Sequence, residues 1–121
     1  MNKDIQIITE YLSRQSEIDT VYLFGSQAIA FIHDKSDIDL GIIFKNHASD
    51  ILNAQIRIDT LKTEVQKNTP IGVDMVDLEY APLPLQQAII QGRSLFCNNL
   101  TRIHRFENAI CNKMELDYYD S

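Results

Sequence analysis

Two apolar runs bracketing a Gly-Ser pair and an Asp-x-Asp constrain this chain more than anything else in it. They fall between Val21 and Phe44, in VYLFGSQAIAFIHDKSDIDLGIIF. The first run, Val21 to Phe24, stops at Gly25-Ser26. Glycine lets a chain turn sharply and lets another group come close to the backbone. Serine is a good N-cap, and the first amides of a helix lack internal partners while the dipole there favours anions. A strand that ends this way predicts a phosphate cradle built from backbone N–H groups and the Ser26 hydroxyl. Ten residues later come Asp37 and Asp39, separated by Ile38. On extended backbone two such residues point to one face. Paired carboxylates repel unless exposed, protonated or neutralised by a cation. An all-oxygen site suits Mg²⁺, usually held by one or two carboxylates together with substrate phosphates. An anion cradle beside a dicarboxylate is what metal-assisted phosphoryl or nucleotidyl transfer needs.

A third acid extends the pattern. Residues 71–78, IGVDMVDL, alternate as a strand does, with Val73, Met75 and Asp77 one way and Gly72, Asp74 and Val76 the other. A charge within an apolar strand needs a reason. Asp74 is therefore a candidate site residue, whereas Asp77 is read as structural.

At this point the residues carry a resemblance. Gly25-Ser26, ten residues, then Asp37-x-Asp39 and an apolar strand resemble the signature of the polymerase-β-like nucleotidyltransferase superfamily. The chain's small size and GVDMVDL resemble its minimal nucleotidyltransferases, the MNT proteins, often paired with HEPN-domain toxins. The resemblance implies an α/β (α+β) fold with a small mixed sheet packed by helices. It implies two Mg²⁺ ions on Asp37, Asp39 and Asp74, with Asp74 completing the metal site and also available as general base. It also implies a nucleoside triphosphate, ATP, held by Gly25 and Ser26. The implied reaction is AMP transfer to a hydroxyl, a tyrosine of a cognate HEPN toxin, with any oligomer formed through that toxin. The sequence departs from the family's GSRARG-like pattern at Gln27 and Ala30, which removes an arginine from beside the triphosphate. Two other readings follow from this: a non-catalytic antitoxin that neutralises by binding, and a small-molecule, aminoglycoside-type nucleotidyltransferase.

Composition narrows the field. The 121 residues read as a single domain, 1–121, with no run long and apolar enough to cross a membrane and no secretory pattern at the start, so the expected location is the cytoplasm. The net charge of −6 argues against nucleic acid as partner, because such binding rests on neutralising phosphates. Cys97 and Cys111 lack metal-ligand spacing and read as buried apolar fillers.

The remaining pattern predicts helices over 4–14, 50–66, 85–91 and 100–116, and strands over 20–24, 39–44, 71–78 and 93–97. A polar turn is expected over Ser16 to Asp19, and a short helix over 26–31. In the long second helix Ile51, Ile58, Leu61 and Val65 form the core stripe, widened by Leu52 and Ile56, and Arg57, Asp59, Lys62, Glu64 and Lys67 the solvated face. His33, Arg102 and Arg105 read as surface groups, 81–84 as a kinked linker, and 117–121 as a mobile tail.

Overall fold

The computed structural model describes residues 3–25 and 37–120, with the backbone alone for 114–120. In chain order the described elements are α1 (Lys3–Ser13), β1 (Ile18–Phe24), β2 (Ile38–Phe44), α2 (Ile51–Gln66), β3 (Val73–Asp77), a 3₁₀ turn (Leu78–Tyr80), α3 (Leu83–Ile90), β4 (Arg93–Cys97) and α4 (Leu100–Asp120). The strands form one mixed sheet in the order β3-β2-β1-β4. β1 pairs antiparallel with β2 and β4, while β2 and β3 run parallel, joined through α2. A parallel pair needs a crossover of this kind.

The sheet is covered on both faces, which explains why the central strands are apolar almost throughout. On one face Ile5, Ile8 and Leu12 of α1 and Ile58, Leu61 and Val65 of α2 pack on Val21, Leu23, Ile38, Leu40, Ile42, Phe44, Val73 and Met75. On the other, Ile89 of α3 and Ile103 of α4 pack on Tyr22, Ile43 and Leu78. The alternation of β2 thus places Gly41 and Asp39 on the α3–α4 face. Gly41 is needed there: a Cβ would meet Ile89 Cγ2 at 2.5 Å.

Two buried ion pairs fasten helices to the sheet. Arg57 donates to Asp77 Oδ2 at 2.7 Å and to the Asn46 carbonyl at 2.8 Å, and its guanidinium stacks 3.6 Å from the centre of the Phe44 ring. Arg102 donates to Asp19 Oδ2 at 2.5 Å and reaches Glu79 at 3.5 Å, and His47 pairs with Glu79 in turn. Asp19 and Asp77 are both almost fully buried. Buried carboxylates persist only with partners of this kind. Tyr22, also buried, donates its hydroxyl to Glu107 of α4. Burial first, and then that hydrogen bond, push its ionisation far above the usual phenol range.

Several sequence expectations are corrected here. Strand β1 starts at Ile18, because Asp19 is neutralised by Arg102 rather than left in a polar turn. For the same reason Arg102 is not a plain surface group, and Arg57 lies over the core, not on the solvated face. Ile51, Leu52 and Ile56 are exposed and Ala54 joins Ile58, Leu61 and Val65 in the core stripe; Ile51 is the first residue of the helix, directly after the Asp50 cap, which accepts from the Asn53 N–H at 2.8 Å. Helix α3 begins at Leu83, with proline tolerated in its first turn. Cys111 is exposed and both cysteines are free. Helix α4 runs to Asp120 where a tail was expected. The short helix expected over 26–31, and His33, lie outside the described residues.

Removing one partner of a mostly buried pair leaves the other charge desolvated. Arg57→Met is expected to cost about 2–4 kcal/mol of stability, with most of the loss recovered in the Arg57→Met/Asp77→Leu double variant. Urea unfolding of the two variants measures both.

Candidate active site

The parallel pairing of β2 with β3 puts Asp39 directly across from Asp74. Both follow the alternation onto the α3–α4 face, near the N-terminal ends of their strands. On its other side Asp39 is paired with Phe24, the last residue of β1, so the end of β1 meets the start of β2 at the site. Asp37 stands just ahead of β2, where the Ile38 N–H donates to the Gly72 carbonyl at 2.8 Å and ties the two segments together. The three acids that sequence reasoning selected are thus brought to one end of the sheet from two strands.

Two glycines make this arrangement possible. Gly25 has a φ of +69°, a left-handed conformation that suits glycine, and a Cβ there would lie 2.3 Å from Asp39 Oδ2. A Cβ on Gly72 would lie 2.4 Å from Asp37 Oδ1. Each carboxylate of the Asp-x-Asp therefore lies against a backbone stripped of its side chain. Gly25 was expected as a phosphate-side turn; the structure adds that it seats Asp39. The part played by Gly72 was missed. Its only sequence signal is its place two residues before Asp74.

Electrostatics follow from the crowding. Burial, then the charge of Asp74, then that of Asp37 raise the Asp39 carboxyl above the usual carboxylate range. Asp74 is exposed and accepts the Met75 N–H on Oδ1 at 3.0 Å. The same oxygen lies 3.6 Å from Lys62 Nζ. Lys62 belongs to α2, which packs on the opposite face, so its chain reaches past the β3 edge to the acid. Sequence reasoning had assigned Lys62 to the solvated face of α2. Ser26, the other expected phosphate ligand, and Gln27 and Ala30 lie outside the described residues.

The donor set is all oxygen and carries an uncompensated excess of negative charge, which suits Mg²⁺. Among the described residues no group of three or more His, Cys, Asp or Glu is gathered tightly enough to hold a metal unaided. A Mg²⁺ ion at this end of the sheet would need phosphate and water for its remaining ligands.

Residues 6–101 match the family model described as polymerase beta, nucleotidyltransferase. The chain belongs to this nucleotidyltransferase family. Among curated proteins it is 31% identical over 96 residues to the protein adenylyltransferase MntA of Shewanella oneidensis, a match that takes in 78% of this chain and 63% of MntA. The chain thus spans just under two-thirds of that relative's length. Among solved structures it is similar to a chain of a toxin–antitoxin structure with AMP-PNP, at a TM-score of 0.74 and 20% identity over 98% of this chain and 92% of that one. It is also similar to a chain of a tri-AMPylated Shewanella oneidensis HEPN toxin in complex with MNT antitoxin, at a TM-score of 0.69 and 17% identity over 96% and 91% of the two chains. These structural likenesses show the fold, and they agree with the mixed sheet and flanking helices expected for a nucleotidyltransferase. No helix among the described residues is long and apolar enough to cross a membrane.

A carboxyl raised in the folded state binds more protons there than in the unfolded chain. Its contribution to stability is therefore favourable at low pH and is lost as pH rises through the folded value. At neutral pH Asp39 is a net burden on the metal-free fold. Asp39→Asn is expected to raise the melting temperature at pH 7.5 by a few degrees, with the gap closing toward pH 4. Thermal unfolding in a chelator at both pH values checks this.

Proposed function

We propose that this chain transfers AMP from ATP to a tyrosine hydroxyl of a HEPN-domain toxin, and so acts as the antitoxin of the pair. The observation that carries the reading is the cross-strand pairing of Asp39 with Asp74, with Asp37 adding its charge, beside the left-handed turn at Gly25. Support comes from the relative named a protein adenylyltransferase and from the fold neighbours, one solved with AMP-PNP and one with a tri-AMPylated HEPN toxin.

In this reading Asp37, Asp39 and Asp74 hold two Mg²⁺ ions, which when bound would neutralise charge on the phosphates and polarise the phosphoryl group. Gly25 and Ser26 hold the triphosphate tail, through backbone N–H groups and the serine hydroxyl. The attacking oxygen bonds to the α-phosphorus as the bond to the bridging oxygen of the β-phosphate breaks, and pyrophosphate leaves. The proton of the hydroxyl passes to a carboxylate, for which the exposed Asp74 is the candidate base. Beyond this the protein's task is to orient and to complement charge, which demands few other side chains. The acidic surface, with a net charge of −6, suits a basic partner and favours its approach. The cytoplasm is the proposed location.

The test is a transfer assay with Mg²⁺, α-labelled ATP and the HEPN-type product of an adjacent reading frame. Label is expected on the partner, and an Asp37→Asn/Asp39→Asn variant should lose it by on the order of 10³-fold or more, as removal of several kcal/mol of charge stabilisation demands. Tight complex formation by both versions without label would sink the catalytic reading and leave a masking antitoxin. Label on an aminoglycoside, with no protein present, would point to drug modification instead. Gly25→Ala should also lose transfer, because the new methyl displaces Asp39, while the cost to folding stays within about 1–3 kcal/mol. Circular dichroism alongside the assay separates the two effects.

A further inference from the structure

We propose that Lys62 is a built-in counter-cation of the active site, which neutralises Asp74 in the metal-free protein and is displaced when a divalent cation binds. The inference rests on the nucleotidyltransferase reading of the site. Its starting point is an imbalance. Three carboxylates are brought to one end of the sheet, and Lys62–Asp74 is the one ion pair made to any of them among the described residues. The helix that carries Lys62 lies on the opposite face of the sheet. Its side chain reaches the acid only because β3 is an edge strand, with no further strand in the way.

The geometry suits a placeholder better than a permanent partner. At 3.6 Å the contact is long for a charge-assisted hydrogen bond. Lys62 and Asp74 are 43% and 64% exposed, so the pair is screened and holds weakly. The contrast with Arg57–Asp77 is clear: that pair is 2.7 Å long and almost buried, and no incoming ion would open it. The Met75 N–H donates to the same Asp74 oxygen that faces Lys62, and so keeps the carboxylate oriented when the ammonium leaves. A lysine suits this use, being a compact charge on a flexible stem.

A cation that must displace Lys62 binds less tightly than it would without it. Lys62→Met is therefore expected to raise the affinity for Mn²⁺, used as a stand-in for Mg²⁺, by about three- to tenfold in the presence of a non-hydrolysable ATP analogue at low ionic strength. High salt should compress the difference. Lys62→Arg should stay near the parent value. Lys67→Met makes the same change in net charge on the same helix, but Lys67 pairs with Glu64 at 3.0 Å, so it should shift nothing. The readout is free Mn²⁺ by electron paramagnetic resonance, which does not depend on turnover, with melting temperature measured on every variant. An unchanged or weakened affinity in Lys62→Met, or an equal gain in Lys67→Met, would overturn the proposal. Failure of the parent protein to bind Mn²⁺ with the nucleotide would instead overturn the reading of the site on which it rests.

Discussion

Two like charges held side by side across a parallel strand pair are the constraint on which the rest of this structure depends. The register that sets Asp39 opposite Asp74 cannot slip by one residue without turning Leu40, Ile42, Val73 and Met75 out of the core. The hydrophobic face thereby enforces an electrostatic arrangement that the carboxylates would not choose for themselves. The cost is limited by keeping Asp37 and Asp74 exposed and only Asp39 half-buried. It is limited further by placing the group at the strand ends, where solvent reaches it.

Elsewhere the molecule treats charge in the opposite way. Asp19 and Asp77 are buried more deeply than any acid of the site, and each has an arginine. Both arginines come from helices, so each pair also fixes a helix against the sheet. Asp37, Asp39 and Asp74, which have no arginine among the described residues, share one end of the sheet, while Asp19 and Asp77 lie where their arginines tie helices to it.

Much of this was legible in the sequence because it rests on period and punctuation. Alternation in β3 separated Asp74 from Asp77 correctly, and the apolar runs located β1 and β2 to within a residue or two. The positions of Gly25, Asp37 and Asp39 followed from the same reading. What could not be read were facts that depend on partners distant in sequence. Asp19 reads as a turn residue until Arg102, 83 positions away, is found against it. Arg57 reads as solvated until Phe44 and Asp77 surround it. Ile51 fits a helical stripe, yet at the first residue of α2 it is left exposed. Gly72 opens the GVDMVDL segment, yet its purpose appears only when Asp37 is laid beside it. Gln27 and Ala30, where the sequence departs from the family pattern, lie outside the described residues.

The sheet ends on both sides in short strands, β3 and β4, five residues each. An open edge invites strands from other chains, and proteins blunt it with brevity and with charge. On β4 the exposed Arg93 serves that purpose. On β3 the charge is Asp74, with Lys62 laid across the same edge. Acid and lysine together give that edge the charge that discourages foreign backbone from zipping onto the sheet, and a variant that made it apolar would gain a tendency to aggregate. One side chain of the candidate site thus also serves to keep the sheet to itself.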